Sequence, residues 1–388
     1  MFMNGIIFLK TCSLSERGDI MKKKLIIILI AVFLTSSSTF YYLWFNTEYT
    51  ITFVTNEGTE ISSLNYQSDD LIVLPDDPTK ANYEFSGWYS DEALNTYFAE
   101  GLMPRENITL YADWGSENLL YTLIVDEYTV SKGTSTGGHV VIPKRHNDLL
   151  VTRIGLNGFS QNMSIISITI PDTIKSIGDY AFMMTSLTSV YIPNSVETIG
   201  IYAFAMSQHL TEITFEENSR LTEISTFAFY GASLVTSIEI PRSVTHIRST
   251  AFALSTALTS LTFEEGSQLI EIETNAFAMA ANLEDLVLPE GLLTIGEMAF
   301  TNLYKLTNLV IPNTVTSIGL GAFSGTTALS AVYIPGSVVT MGGAVFSGSR
   351  PVMLVIYCGA ESQPSTWDVS WNNSSIYVEW GTTSTPSE

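Results

Sequence analysis

Cysteine is almost missing from this chain. Cys12 and Cys358 are the only two in 388 residues, too few for a disulfide framework or a cysteine-based zinc site. Histidine is nearly as scarce, and His139, His146, His209 and His246 show no metal-ligand spacing. Basic residues are few as well, 17 Lys+Arg against 39 Asp+Glu. Five of the 17 (Lys10, Arg17, Lys22, Lys23, Lys24) fall in the first 24 residues, which leaves 12 basic and 37 acidic residues, a net −25, for the rest. A surface so negative repels nucleic acid and anionic membrane, and neither is expected as the main partner. Glycine-rich phosphate loops are also lacking: Gly319, Gly321 and Gly325 miss the G-x-G-x-x-G spacing. The acidic pairs Glu216-Glu217 and Glu264-Glu265 lack EF-hand spacing and read as solvated loop carboxylates. No cofactor or metal is expected.

One long apolar run is present. Lys22-Lys23-Lys24 precede an uncharged stretch from Leu25 to Phe45, whose 21 residues are enough to cross a hydrocarbon core of ~30 Å. Two outcomes fit this order. The run is a signal peptide cut after Ser38, or it stays as a membrane anchor with Phe40-Tyr41-Tyr42-Leu43-Trp44-Phe45 in the outer interfacial belt. No lipobox cysteine follows it. Met21 is an alternative start, which would leave residues 1–20 as an untranslated leader and disarm the Arg17-Gly18-Asp19 tripeptide.

Residues 47–115 form a small β unit. YTITFVTNEGTE alternates apolar and polar residues up to a turn at Asn56-Glu57-Gly58, and ITLYADW (108–114) alternates again. Tyr83, Phe85, Trp88, Tyr97, Phe98, Tyr111 and Trp114 supply an aromatic core, with a carbohydrate-stacking platform as the alternative role. The blocks ITFVTNEGT, LPDDPTKANYEFSGWYSD and ITLYADW, in that order, resemble the Listeria–Bacteroides repeat, the B repeat of internalins. The resemblance implies an extracellular, β-grasp-like spacer or partner-binding module without catalytic residues.

The remainder repeats one phrase. Phenylalanines stand at 159, 182, 204, 229, 252, 277, 300, 323 and 346, spaced by 22 to 25 residues, and all but the first and last follow an alanine. A period in this range marks a solenoid whose units bury their apolar faces against one another. An isoleucine precedes the Phe by five residues (Ile177, Ile199, Ile224, Ile247, Ile272, Ile295, Ile318). A Leu or Val about six residues after it opens an alternating strand ended by Pro. Phe215-Glu216-Glu217 and Phe263-Glu264-Glu265 replace Ile-Pro in the two 25-residue units, so the extra residues belong in the loop after the strand. Each coil is read as one short strand, one apolar corner and one Ala-Phe turn or short helix. IPNSVETIGIYAF, LTSVYIP and their copies resemble the BspA-like, Treponema-type leucine-rich repeats, with residues 116–157 as lead-in cap, 158–346 as repeats and 347–388 as closing cap and tail. That resemblance implies a surface or secreted protein that binds other proteins.

The expected fold is therefore mainly β with short helical turns: a solenoid of about nine coils, preceded by a small β-grasp-like domain (47–115) and a membrane segment or signal (21–46). Alternation within the strands predicts two outward columns on one sheet. The first is Ser167, Ser189, Glu212, Ser237, Ser260, Asp285, Asn308, Ala331; the second is Thr169, Tyr191, Thr214, Glu239, Thr262, Val287, Val310, Tyr333. Tyr191, Glu212, Glu239, Asp285, Val287, Asn308, Val310 and Tyr333 make the candidate protein-binding face, with Val287, Val310 and Tyr333 as its anchor.

Catalysis finds little support. Gly133-Thr134-Ser135-Thr136-Gly137 fits G-x-S-x-G with His139 nearby. That chemistry requires a strand-to-helix elbow, however, and the flanking strand-like runs predict a hairpin turn. The reading is a non-catalytic surface or secreted binding protein. Its partner is a protein, on a host or neighbouring cell or in a matrix, and its membrane contact runs through the N-terminal segment alone. The alternative is a solute- or receptor-capturing module serving a transporter or secreted enzyme.

Overall fold

The computed structural model describes residues 47–135, 137–349 and 354–383. The leader, the apolar run 25–45 and the last five residues lie outside the described residues, and so do the expectations placed on them. Residues 48–388 fall in one compact unit.

The chain enters a mixed four-stranded sheet. Strands β1 (Glu48–Val54), β2 (Leu64–Gln67), β3 (Tyr83–Tyr89) and β4 (Ile108–Ser116) lie in the order β2-β1-β4-β3. The central pair β1/β4 is parallel and both outer pairs are antiparallel. Ile51, Phe53, Ile72, Trp88, Met103, Leu110, Ala112 and Trp114 form its core, with Tyr83, Phe85 and Phe98 packed against them. Phe85 and Trp114 meet edge to face, 5.6 Å between centroids. Asn56 and Glu57 take positive φ in the first turn. Gly58 follows because a Cβ there would lie 2.5 Å from the Trp114 ring, whose Nε1 donates to Thr55 O at 2.9 Å.

A hairpin of β5 (Leu120–Ile124) and β6 (Glu127–Ser131) opens the solenoid, followed by β7 (His139–Val141), β8 (Arg145–His146) and β9 (Leu149–Ile154). From here the chain winds so that each coil adds one strand to each of two parallel stacks. The narrow stack runs from β6 and β9 through Ser176–Ile177 and Thr198–Ile199, and onward from Glu223–Ile224 to Thr340–Met341. The isoleucines five residues before the Phe, from Ile154 to Ile318, are its inward residues, all at or below 1% exposure, and Met341 takes that place before Phe346.

The broad stack starts one row earlier and ends two rows later than the sequence suggests. β7 pairs in parallel with Ser167–Thr169, while Val355–Cys358 and Tyr377–Trp380 add to Ala331–Ile334. Rows Ser189–Ile192, Glu212–Phe215, Ser237–Ile240, Ser260–Phe263, Asp285–Leu286 and Asn308–Val310 lie between. The lead-in and closing caps are thus partial coils, and about eleven turns stack rather than nine.

The third side carries the Ala-Phe stretches. All nine phenylalanines are at or below 2% exposure and form one ladder of near-parallel rings with centroids 5.0 to 5.8 Å apart. Each of the first eight Phe N–H groups donates to the carbonyl of the residue before the next Phe, as in Phe204 to Ala228 at 2.8 Å and Phe277 to Ala299 at 2.8 Å. The position before each ring is tightly enclosed: the seven alanines from Ala181 to Ala322 are at 0% exposure, and Val345 takes the same place before Phe346, also at 0%. These stretches are turns; no helix occurs among the described residues. The reason lies in the backbone. The residues two before and two after every Phe have positive φ, from Asn157 and Gln161 through Thr250 and Leu254 to Ala344 and Gly348. A left-handed residue on each side interrupts any α-helical run, and the inter-coil hydrogen bonds offset its cost.

The extra residues of the long coils do sit in loops after the broad strands. Glu216 Oε2 accepts from Asn194 N at 2.8 Å and Glu264 Oε2 accepts from Arg242 N at 3.0 Å, so the first glutamate of each pair fastens its loop to the coil before.

The four-stranded sheet and the lead-in cap share polar contacts. Val141 N donates to Ser116 Oγ (2.9 Å), Lys144 N to Asp113 Oδ2 (3.2 Å), Ser86 Oγ to Arg145 O (2.8 Å) and Tyr97 Oη to Asp148 Oδ1 (2.6 Å). Asp113 and Ser116 are buried. Burial pushes the Asp113 carboxyl above its ordinary range against the pull of the Lys144 and Trp114 amides.

Candidate protein-binding face

In the broad stack, residues alternate between the core and solvent. Val190, Ile192, Ile213, Ile238, Ile240, Leu261, Leu286, Leu309 and Val332 point inward and are buried. The strand register puts the outward residues side by side: Ser189 beside Glu212, Tyr191 beside Thr214, Glu239 beside Thr262, Ser260 beside Asp285, Asn308 beside Ala331, and Val310 beside Tyr333. A bridge joins Val287 to Val310. Both predicted columns are therefore contiguous within their segments. Eleven rows at ~4.8 Å give a face on the order of 48 Å long.

Glu212, Glu239, Asp285 and Asn308 are exposed, as are Tyr191 at 50%, Val287 at 79% and Val310 at 55%. Burial and the neighbouring Glu216 carboxylate push the Tyr191 phenol up. Tyr333 differs from the expected anchor: it is only 8% exposed. The closing cap explains this, because Tyr357 stands beside Tyr333 in register on the side away from Val310. A Cβ at Gly359 would come within 3.2 Å of the Tyr333 hydroxyl. The anchor that remains on the surface is Val287 with Val310.

Three rows escaped the sequence reading. His139 and Val141 extend the columns at one end. Val355 and Tyr377 continue the first column at the other, Tyr357 and Glu379 the second, and Tyr377 is 65% exposed. The alternation Ile376-Tyr377-Val378-Glu379-Trp380 carried that signal.

The stretch around Ser135 is not a hairpin turn. Its flanking strands belong to different stacks, β6 pairing with β5 and β9 while β7 pairs with Ser167–Thr169, so it is a connector between them. The His139 ring bonds across its stack, Nδ1 to Ser167 Oγ at 2.7 Å and Nε2 to Thr169 Oγ1 at 3.4 Å. His146 stacks on Tyr121 at 3.8 Å. Among the described residues no three His, Cys, Asp or Glu side chains are grouped to hold a metal.

Comparison with known proteins gives two family matches. The BspA type leucine rich repeat region matches in six copies over residues 140–236 and 222–352, more than half of the chain. The Listeria-Bacteroides repeat domain matches residues 49–113. Among curated relatives, a putative membrane protein of Evansella cellulosilytica is 36% identical over 101 residues, 26% of this chain and 14% of the relative. Internalin H of Listeria monocytogenes is 43% identical over 68 residues, 17% of this chain and 12% of that protein. The matched stretches thus span a small part of those relatives. Among solved structures, the pneumococcal vaccine antigen PcpA aligns at 23% identity over 65% of this chain and 88% of its own, with a TM-score of 0.34. A Treponema pallidum leucine rich repeat protein aligns at 20% over 68% and 96%, with a TM-score of 0.26.

Proposed function

Because the chain belongs to the BspA type leucine rich repeat family, we propose that it is a non-catalytic cell-surface protein that binds a partner protein through the outward face of its broad stack. The observation that carries this reading is the face itself. Small polar, acidic and apolar side chains stand in register over many coils, with Tyr191, Val287 and Val310 exposed on it. Exposed aromatic and apolar side chains are the usual anchors of protein interfaces, and a face of this length matches a standard one. The Listeria–Bacteroides repeat, read as a β-grasp-like module, acts as a spacer that sets the solenoid off from the cell. The apolar run 25–45 holds the chain at the membrane, or releases it after cleavage near Ser38.

A second reading, capture of a small solute, draws on a groove of about 720 Å³ lined by Phe85, Trp88, Tyr97 and Phe98 of the first sheet and Asn147 and Asp148 of the cap. It is the weaker one, because polar and charged groups line much of that groove.

The test combines binding with location. Full-length chain and a Tyr191→Ser/Val287→Ser/Val310→Ser variant are titrated against a panel of host-matrix and neighbouring-cell surface proteins, and intact cells are shaved with protease. A partner lost by the variant, and a solenoid released from cells, support the proposal. Equal binding by both proteins, or a solenoid protected until lysis, overturns it.

A further inference from the structure

The outward face is not uniform, and its middle names a partner. Two adjoining depressions of about 280 and 520 Å³ share Thr262 and Glu264 and run along the broad stack from the coil of Glu212 to that of Glu290. Glu212, Glu239, Asp285 and Glu290 line this groove, with Val287 at its far end.

Several acids of the solenoid have cations beside them: Lys305 meets Glu284 at 3.3 Å just before the broad strand of Asp285, and three acids near the narrow stack are accompanied. Arg248 bridges Glu223 at 2.6 Å and Glu273 at 2.7 Å, and His246 lies 4.0 Å from Glu271. On the broad stack none of Glu212, Glu239, Asp285 and Glu290 forms an ion pair among the described residues. Glu264, between them, already accepts the Arg242 amide. Uncompensated like charges a few strands apart repel one another and attract an oppositely charged partner from a distance. The exposed Val287 and Val310 next to them supply an apolar contact at one end.

We propose that this groove docks an extended, lysine- or arginine-bearing segment of the partner protein. The groove spans four coils, ~15–20 Å, the reach of about five or six extended residues. Cationic side chains meet the four carboxylates, and an apolar side chain seats on Val287 and Val310. The proposal rests on the protein-binding reading above and adds the chemistry of the partner. Polyanions are excluded by the same field, and the carboxylates do not converge as metal ligands do.

The test selects binders for the full-length chain from a random displayed peptide library and titrates them by fluorescence anisotropy at low and high salt. Three variants are compared: Glu212→Gln/Glu239→Gln/Asp285→Asn/Glu290→Gln; Val287→Ser/Val310→Ser; and Glu60→Gln/Glu92→Gln/Glu106→Gln/Asp126→Asn, which removes equal charge from exposed sites elsewhere. The expected result is Lys/Arg-rich peptides whose affinity falls about tenfold or more on the groove variant, weakens with salt, and is kept by the distant variant. Binders equally weakened by the distant variant reduce the effect to diffuse charge and overturn the groove. Binders sensitive to Val287 and Val310 but not to the carboxylates overturn the basic segment and leave the protein-binding reading standing. Binders indifferent to all three, or none recovered, sink both.

Discussion

Phe252 stacks on Phe277 with centroids 5.2 Å apart and planes 8° from parallel, and on Phe229 at 5.3 Å on its other face. Each ring of the ladder is thus wall to the next coil, and removing one uncouples two interfaces. Phe252→Ala should cost ~3–5 kcal/mol through lost transfer energy and the cavity left behind. Phe346 is as deeply buried but has one ring neighbour, Phe323 at 5.8 Å, and ends the ladder. Its alanine variant should lose less, since a quasi-one-dimensional array tolerates damage at an end better than in the middle. Denaturant unfolding of both variants checks this, and equal small losses would refute the coupling.

The ladder was legible in the sequence because a ring every 22 to 25 residues has one efficient use, stacking in a repeating core. The outward columns followed from strand alternation for the same reason. Other features were hidden. No local pattern announces a left-handed residue when Tyr180, Thr250 or Met298 occupies it, so the Ala-Phe stretches read equally well as short helices. Burial of Tyr333 depends on Tyr357 and Gly359, which the chain reaches only in the closing cap. The connector around Ser135 looked like a hairpin because its strands are sequence neighbours; their partners lie further along the chain.

Arg248 should make stability depend on acid. Burial pushes Glu273 up, but hydrogen bonds from Arg248 and Ser249 outweigh it and hold the carboxyl below its ordinary 4.5. A lowered folded value contributes stability above the unfolded value, and that contribution is lost as pH falls through the folded one. Arg248→Ala should therefore be less stable than the parent at neutral pH, by about 0.5–1 kcal/mol for a pair this exposed. The gap should close in acid, as pH falls below 4.5 and through the lower folded value. Paired melts at the two pH values test it, and a gap that persists in acid would assign the loss to packing.

Asp113 should show the opposite slope. Its folded value is raised by burial, so ionisation costs stability at neutral pH and the cost is relieved as pH falls through the raised value. Asp113→Asn cannot ionise and still has one acceptor oxygen for the Lys144 or Trp114 amide. Its melting temperature relative to the parent should decline as pH is lowered toward 3.8. Asp113→Ala leaves the Lys144 N–H without its acceptor, which should cost about 1–3 kcal/mol and speed amide exchange at Lys144. A pH-independent difference for the Asn variant would mean that Asp113 titrates normally.

Tyr191 and Tyr333, both in the second column, should separate binding from folding. Tyr191 is half exposed, so Tyr191→Ser, with Val287→Ser and Val310→Ser, should change stability by no more than about 0.5 kcal/mol each. Binding to a protein partner should weaken by ~2 kcal/mol or more if these side chains anchor it. Tyr333 faces the same side of its strand but is enclosed at 8% exposure between Val310 and Tyr357. Tyr333→Ser should instead lower stability by ~2–4 kcal/mol, as for other buried aromatic truncations, and reach binding only through loosening of the closing cap. A melt and a titration on the Tyr191 triple variant and on Tyr333→Ser decide the matter. If Tyr333→Ser melts like the parent while its binding falls, the tyrosine belongs to the interface after all, and the closing cap opens in solution.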